Sequence, residues 1–428
     1  MEAAGMAQST PTAPAPPCEI DALDPRFYDD PWEAYRWLRQ HSPVHWDAKN
    51  ELWLISRHED VSHISRDQDT YSAADGVRPK VQVPMSIISM DDPEHTRQRR
   101  LVSRGFTPAK VRALTDHIRE LSNQIIDDIS ARGEIDFVED FAIHVPLIVI
   151  SEMMGLDPDQ RVRLYKWSDA MMAGDSAADS DDDPLMLAAA EAFGEYAGMC
   201  LELIAERREQ PDARDDIITA LTRAYDEGAL AREDRAGQDV DAEVPLTDDE
   251  LIMFLVLIVV AGNETTRNAL TGGLLAFSRF PDQKRRVIED PSLWDTAVDE
   301  IIRYVSPVMS FSRTVTRDHT YKGVDLKAGD KVFLLYQSAN RDEDVFDAPD
   351  ELRVDRDPNP HLAFGIGTHY CMGANLARAE VRVVFEELFR RLTDIQVPDG
   401  SVGRRGQSSL VLSLEHLPAS FTPEPTSA

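Results

Sequence analysis

Apolar residues recur at intervals of three and four along most of the chain, and this spacing predicts helices joined by short loops. The segment DPWEAYRWLRQHSPV follows this pattern, and its helix is predicted to end before Pro43. The next segment, ELWLISRHEDVSHI, predicts a short strand at Leu52–Ile55 and then a helix that Asp60 could cap. Helical patterns resume over residues 94–105 and dominate residues 108–209.

A long helix is predicted between Thr247 and Pro281, in LTDDELIMFLVLIVVAGNETTRNALTGGLLAFSRFP. Thr247 and Glu250 have the spacing of a capping box, and Pro281 marks the end. At about 1.5 Å per residue the helix would be roughly 50 Å long. Its first half is apolar on every side, which predicts that it runs through the protein interior.

Strand-like segments come late in the chain, in SRTVTRDHTY, DKVFLLYQ and SLVLSLEHL. The pattern as a whole predicts a mainly α protein, multihelical with small β-sheets. The acidic run DSAADSDDDP, at residues 175–184, is predicted to be a solvated loop between helices. Residues 1–20 are rich in Ala, Pro and Thr, so we expect a disordered tail there and a single domain over residues 21–428.

Composition excludes several partners. The formal net charge of −32 should repel nucleic acid and anionic lipid, and the simplest use of the excess acid is solubility. The three cysteines, Cys18, Cys200 and Cys371, form no disulfide framework, which suits a reducing cytosol. The longest apolar run, residues 251–261, is too short to cross a bilayer, and the N-terminus lacks a signal-peptide pattern. We therefore expect a cytoplasmic protein with no membrane anchor and no nucleic-acid partner.

The stretch HLAFGIGTHYCMGANLARAE places a cysteine just before a helical pattern. Gly365 and Gly367 permit a tight turn and a close approach of backbone to a flat ligand. Cys371 lies where the helix should begin, and the unpaired N–H groups there favour a thiolate, the form that serves as an axial ligand of iron. Two alternatives are a buried structural cysteine and a zinc site with His361 and His369, although no second cysteine is near.

The pattern Phe364-Gly365-x-Gly367-x-His369-x-Cys371-x-Gly373 resembles the haem-binding signature of the cytochrome P450 family. The resemblance covers residues 21–428 and implies the fold of that family, with haem b as the cofactor and Cys371 as the ligand of its iron. The residues that it places around the haem in this stretch are Phe364, Gly365, His369, Cys371 and Gly373.

A second motif of the family is a Glu-x-x-Arg pair, matched here by Glu300 and Arg303. Their spacing of three puts both side chains on one face of a helix, where they can pair. The resemblance implies a structural role for the pair, with Arg356 as a further arginine partner. Here Leu352-Arg353 stands where the family usually has Phe-Asp.

The apolar helix contains Ala261-Gly262-Asn263-Glu264-Thr265-Thr266. An acid and hydroxyls in the middle of a buried helix, beside a glycine, predict a local opening. The resemblance implies that Glu264 and Thr265 relay protons to dioxygen, while Ala261 and Gly262 leave room for it. The alternative is that Thr265 bonds back to a helix carbonyl and Glu264 caps a neighbouring element.

The helix in DDPEHTRQRRLVSRGF has two faces. His95 and Arg99 are four residues apart and share one of them. The resemblance matches this pair to residues that bind the haem propionates, and it adds Arg313 and His369 as further partners.

The other face carries a basic stripe of Arg97, Arg100 and Arg104. The simplest interpretation is a solvated surface. The resemblance implies electron supply from a ferredoxin and an NAD(P)H-dependent ferredoxin reductase. We expect the acidic donor to dock on this stripe, which Arg378 and Arg382 extend.

The resemblance thus implies a monooxygenase that inserts one oxygen atom of O2 into a C–H bond of a hydrophobic substrate. The stretches GVRPKVQVPMSIISMDDPEH and PNPHLAFGIGTH are similar to bacterial members that oxidise cholesterol or cholestenone side chains. This favours a steroid over the alternatives, a fatty acid or a terpenoid. The residues expected to line the substrate pocket are mostly apolar: Val83, Met85, Ile87, Ile88, Leu257, Val308, Met309, Phe311, Leu410 and Val411.

Other classes remain as alternatives. A non-catalytic haem protein could bind a ligand as a sensor, but the acid–threonine pair argues against it. A peroxide-driven peroxygenase would not need that relay. A non-haem iron oxygenase is suggested by His58-x-Asp60, half of a two-histidine, one-carboxylate triad, although Asp60 also fits a helix cap.

Overall fold

The computed structural model describes residues 14–80, 86–173, 183–226, 248–401 and 408–424, and helices dominate this part of the chain. The prediction of a mainly α protein is confirmed. The helices are α1 Trp32–His41, α2 His58–Arg66, α3 Glu94–Val102, α4 Pro108–Ile129, α5 His144–Met153, α6 Pro158–Ala173, α7 Pro184–Glu209, α8 Ile217–Asp226, α9 Asp248–Arg279, α10 Pro281–Glu289, α11 Trp294–Val305, α12 Tyr336–Ala339 and α13 Ala374–Arg391.

The sheets are small. The strands are β1 Val44–Asp47, β2 Leu52–Ile55, β3 Tyr71–Ser72, β4 Glu134–Asp136, β5 Ser310–Val315, β6 His319–Tyr321, β7 Val324–Leu326, β8 Lys331–Leu335 and β9 Pro418–Ser420. The largest sheet has the order β1-β2-β8-β5-β3, with β2 and β8 parallel and the other neighbours antiparallel. Hairpin β6–β7 and pair β4–β9 form two further sheets. The predicted strand at Leu52–Ile55 is confirmed.

Helix α9 forms the axis of the core. It runs unbroken for 32 residues and packs against α5, α6, α7, α11 and α13. Its apolar first half is buried, which confirms the predicted interior position. The helix ends at Arg279, two residues before Pro281, because proline cannot continue the hydrogen-bond ladder.

Two local predictions are wrong. Asp60 is not a cap: it lies inside the first turn of α2, where its buried carboxylate accepts a hydrogen bond of 2.6 Å from the Tyr321 hydroxyl. The segment SLVLSLEHL forms no named strand. It contributes an isolated bridge between Val411 and Val308, while the regular strand β9 follows it in the sequence.

Several predictions fall outside the described residues: Thr247, Val83, Met85, residues 1–13, the greater part of the acidic run and the side chain of Arg104. Asp183, at the end of the acidic run, caps α7 by accepting a hydrogen bond from the Leu185 N–H. Within the described ranges no single helix is long and apolar enough to cross a membrane, although the bent pair Val138–Met153 and Pro158–Met171 passes that test by length and composition.

Candidate functional site

A large cavity lies between the middle of α9 and the loop that carries Cys371. Its non-atom space, including the part that opens to solvent, amounts to about 1590 Å³. The walls come from α3, α9, α13, β5 and residues 363–373. The cavity therefore extends from the Cys371 loop to the apolar side chains of α9.

The loop before α13 presents the Cys371 thiol to the cavity. Gly365 and Gly367 have φ angles of 68° and 75°, in the left-handed region that glycine adopts without strain. A Cβ on Gly367 would also come within 3.1 Å of the Ser65 carbonyl oxygen. The Cys371 N–H donates to the Phe364 carbonyl oxygen at 2.8 Å, which closes the loop.

The Cys371 thiol has donors and cations around it. The Cys371 side chain is exposed on the cavity surface, and desolvation by the surrounding protein raises its pKa. The backbone N–H groups of Gly373 and Ala374 and the cations Arg99 and Arg378 lower it. Helix α13 begins at Ala374, so these N–H groups belong to its first turn. Such an environment suits a thiolate that binds a metal cation, as the sequence predicts.

Four predicted propionate ligands lie together on the wall of the cavity: His95, Arg99, Arg313 and His369. The rings of His95 and His369 are 4.3 Å apart between centroids. Both nitrogens of His95 and Nε2 of His369 are buried without a hydrogen-bond partner among the described residues. Burial and the neighbouring basic side chains of Arg313, His95 and Arg99 lower the pKa of His369 to about 3. This cluster of cations and unpartnered donors fits a carboxylate-bearing ligand.

The α9 segment differs in part from the prediction. Ala261, Gly262, Thr265 and Thr266 line the cavity, but the helix passes them without a local opening. The Thr265 hydroxyl donates to the Ala261 carbonyl oxygen at 2.6 Å, as in the alternative considered above. The Thr265 hydroxyl thus has a hydrogen-bond partner within its own helix, and the helix remains continuous.

Glu264 does not face the cavity. Its Oε2 accepts a 2.5 Å hydrogen bond from Arg267, one turn further along α9, and both side chains are buried. Glu264 therefore does not cap a neighbouring element. Burial raises the pKa of the Glu264 carboxyl, and the negative charge of Asp169 on α6 raises it further. The positive charge of Arg267 lowers it.

The sequence interpretation missed Glu380. This α13 residue lines the cavity opposite α9 and is buried, and its carboxyl hydrogen-bonds with Thr266. Burial raises its pKa to about 8. The signal was present in the sequence, since Glu380 follows Leu376 by four and precedes Val384 by four on the apolar face of the helix.

Glu300 and Arg303 form a buried bidentate pair with bonds of 2.7 and 2.8 Å. Arg356 donates to the same carboxylate at 2.9 Å, so the predicted third partner is present. The departure at Leu352-Arg353 leaves the cluster intact because Arg353 contributes its backbone N–H, at 2.8 Å from Glu300. These contacts tie α11 to the segment that leads into the cysteine loop.

Half of the predicted substrate-pocket residues line the cavity: Ile87, Ile88, Leu257, Val308 and Phe311. Met309, Leu410 and Val411 do not. The Met309 N–H donates to the Leu410 carbonyl oxygen at 2.7 Å, and both side chains are buried in the core. The sequence interpretation missed apolar lining residues that come from distant segments: Phe106, Pro146, Ile150, Phe254, Ile258 and Ile302.

The predicted basic stripe is only partly exposed. Arg97 turns inward and pairs with Glu250 at 3.1 Å, whereas Arg100 is exposed. The proposed extensions are already paired, Arg378 with Asp299 at 2.7 Å and Arg382 with Asp295 at 2.6 Å. Ion pairs between helices thus neutralise much of the positive charge that was predicted from the sequence to lie on the surface.

The rival metal sites are not formed. His361 Nε2 is 3.3 Å from Asp299, and Asp60 is bonded to Tyr321 and Lys322. His58 Nε2 is 2.8 Å from the Pro360 carbonyl oxygen. No group of three or more His, Cys, Asp or Glu side chains in the described ranges could hold a metal ion.

Comparisons with known proteins agree with this geometry. The family model described as Cytochrome P450 matches residues 27–416. A steroid C26-monooxygenase of Mycolicibacterium smegmatis is 36% identical over 95% of this chain and 96% of its own length. A steroid C26-monooxygenase of Mycobacterium tuberculosis is 38% identical over 95% and 98%. A Mycobacterium marinum cytochrome P450 solved with pseudoionone is 32% identical, with a TM-score of 0.82 over 96% of this chain and 100% of that one.

Proposed function

Because this chain belongs to the cytochrome P450 family, and is therefore a haem-thiolate monooxygenase, we propose that it hydroxylates the side chain of a steroid such as a cholestenone. The observation that carries the proposal is the cavity wall on the α9 side. The α9 side chains that line it are mostly hydrocarbon, with two hydroxyls: Phe254, Leu257, Ile258, Ala261, Thr265, Thr266 and Ala269. The polar residues Ser65, Tyr336, Tyr370 and Glu380 line other parts of the cavity, as does the cofactor set. Two relatives of this chain are named steroid C26-monooxygenases.

Haem b is the cofactor of the family, and the residues present fit it. Cys371 would bind the iron, while His95, Arg99, Arg313 and His369 would hold the propionates. The unpartnered donors of His95 and His369 support this assignment, since buried polar groups are normally satisfied. When bound, the haem supplies an iron centre that activates dioxygen. Phe364, Gly365 and Gly373 belong to the same loop and line the same cavity.

The apolar wall orients and dehydrates the guest. Ile87, Ile150, Phe254, Leu257 and Phe311 offer no hydrogen-bond donor or acceptor from their side chains, so an alkyl chain loses nothing on entering. If the polar ring end of the steroid entered first, its polar group would have no hydrogen-bond partner among these side chains. The alkyl terminus of the steroid should therefore enter first, with Ala261 and Gly262 leaving room beside it.

Two side chains on α9 are proposed to move protons. Glu264 would take a proton from the α6 side of the helix and Thr265 would pass it to the cavity. In the resting arrangement the Thr265 hydroxyl is bonded to Ala261 and Glu264 to Arg267. Glu264 and Thr265 must therefore both change their hydrogen-bond partners during the reaction.

Family members of this bacterial type take their electrons from a ferredoxin and its NAD(P)H-dependent reductase. We propose that the donor docks at α3 through the basic stripe, with Arg100 as an exposed contact. Arg97 would act indirectly, through its pair with Glu250. An acidic donor complements this local charge on an otherwise acidic protein.

The test is an optical titration of the haem-loaded protein with cholest-4-en-3-one, a long-chain fatty acid and a terpenoid, following the ferric haem band. A saturable shift toward the high-spin form with the sterol, and side-chain hydroxylation in the reconstituted system, are expected. The variant L257F should weaken sterol binding about tenfold by filling the cavity, whereas V162F, at an exposed position, should not.

A response to the fatty acid or the terpenoid alone would overturn the steroid assignment and leave the monooxygenase intact. Pseudoionone is included in the panel because a structural neighbour was solved with it.

A further inference from the structure

Two buried Glu–Arg pairs with the same spacing differ in how completely they are satisfied. The Glu300 carboxylate accepts hydrogen bonds from Arg303, Arg356, Asn359 and the Arg353 N–H. Glu264 Oε2 accepts a bond from Arg267, and the neighbouring Asn268 amide, which donates to the Glu264 backbone carbonyl at 2.7 Å, also lowers the pKa of the carboxyl. Glu264 Oε1 has no hydrogen-bond partner among the described residues. Arg267 Nε is also unpartnered there.

Because of this difference, the Glu300–Arg303 pair is fixed, whereas Glu264 can exchange its hydrogen-bond partner. A buried carboxylate without its full set of donors is costly, and it persists where its surroundings hold it or where it serves a reaction. The Glu264 and Arg267 side chains are only 3% and 6% exposed, so solvent does not supply the missing donors. Glu264 is thus held by one charged contact and retains an acceptor oxygen for another partner.

We propose that Arg267 is a positioning residue for proton delivery: it holds Glu264 on the α6 side of α9 and releases it for exchange with Thr265. This inference rests on the proposed relay role of Glu264. The pair lies next to the relay on the same helix, since Arg267 is one turn beyond Glu264, and Thr265 on the intervening turn lines the cavity.

The groups that face Glu264 come from more than one element. Arg267 belongs to α9, and Asp169 and Tyr165 belong to α6. Glu139, in the turn Val138–Ala142, acts on Tyr165. Ser168 on α6 accepts a 3.3 Å hydrogen bond from Asn263 and so fixes α6 against this part of α9.

The surrounding charges act in opposite directions. Arg267 favours the ionised carboxylate of Glu264, while burial and the negative charge of Asp169 disfavour it. Removing the guanidinium should therefore raise the pKa of Glu264, and removing the charge of Asp169 should lower it. Asp169 is exposed, so its substitution should not disturb folding.

The first measurement is infrared difference spectroscopy of the resting protein, which follows the carbonyl band of the protonated Glu264 carboxyl against pH. The band is assigned by its absence in E264Q. The midpoint should move up by about one to three pH units in R267Q, move down in D169N and stay near the wild-type value in R267K. This readout does not require turnover.

The second measurement is the pH dependence of coupling, the product formed per dioxygen consumed. The pH optimum should move upward in R267Q and downward in D169N, with KM for the substrate unchanged. At pH 7 coupling in R267Q should fall about tenfold and recover in R267K. If R267Q does not fold, the unchanged midpoint expected in R267K and the lowered midpoint expected in D169N still test the proposal.

An unmoved midpoint in R267Q and D169N would overturn the proposal. A shifted midpoint of Glu264 with an unchanged pH profile of coupling would also overturn it, because the Glu264–Arg267 pair would then have only a structural role. Full coupling in E264Q is a different result: it would remove the relay role of Glu264 itself, on which the proposed function depends.

Discussion

Glu380 is a carboxyl buried in the wall of the cavity, and its environment makes stability depend on pH. Burial raises its pKa from the ordinary 4.5 to about 8, and the hydrogen bond with Thr266 offsets only part of this. A group whose pKa is raised by folding favours the folded state at low pH, and this contribution is lost as the pH rises from about 4.5 through about 8.

The variant E380Q should remove this pH dependence. At about 1.36 kcal/mol per pKa unit, Glu380 costs up to about 5 kcal/mol of the free energy of unfolding above pH 8. We expect E380Q to be more stable relative to wild type at pH 8 than at pH 5. Urea unfolding at the two pH values measures the difference. Equal differences at both would show that Glu380 is not held neutral by burial.

At the scale of elements, α9 and α11 approach each other at Gly272. A Cβ at this position would lie 2.6 Å from Cγ1 and 2.9 Å from Cγ2 of Val305. Both α-helices are at the centre of the core, so neither can move away without disturbing other contacts.

The variant G272A should therefore destabilise the protein by about 1–3 kcal/mol, although alanine is the better helix former. G194A is the matched control: Gly194 lies in α7 with no atom within 4 Å of its would-be Cβ. There the substitution should stabilise by up to about 1 kcal/mol. Thermal unfolding of the two variants would refute the close-packing explanation if both gained stability.

At the scale of the whole molecule, a chain of net charge −32 must present some positive charge to an acidic electron donor. Arg100 on α3 is exposed, and Arg97, Arg378 and Arg382 are less exposed and form the ion pairs described above. The rate of electron transfer from the donor should therefore depend on a few side chains and on ionic strength.

R100E should slow the first electron transfer from a ferredoxin several-fold at low salt, and the difference from wild type should shrink as ionic strength rises. R26E changes the net charge equally at a highly exposed position in the segment Pro25–Asp29 and serves as the control. Stopped-flow reduction at several salt concentrations gives the rates. Equal slowing in both variants would indicate a general charge effect without a docking site at α3.

Local features of this protein could be predicted from its amino-acid sequence. The pattern around Cys371 predicted a glycine-rich loop before α13 because its glycines and cysteine lie within a few residues of one another, and hydrophobic periodicity predicted α9 because a helix buried on all sides needs apolar residues all round. The Glu300–Arg303 pair followed from a spacing of three on one helix.

The direction in which side chains face, and the neighbours that they contact, could be seen only once the chain was folded. Glu264 and Thr265 are adjacent in sequence, yet one binds Arg267 and the other lines the cavity. Arg97 looked like surface charge until packing brought Glu250 to it, and Ile150, Phe254 and Ile302 meet in one wall from three distant segments. Periodicity reports burial along an element, whereas contacts between elements depend on how the whole chain packs, which no local pattern encodes.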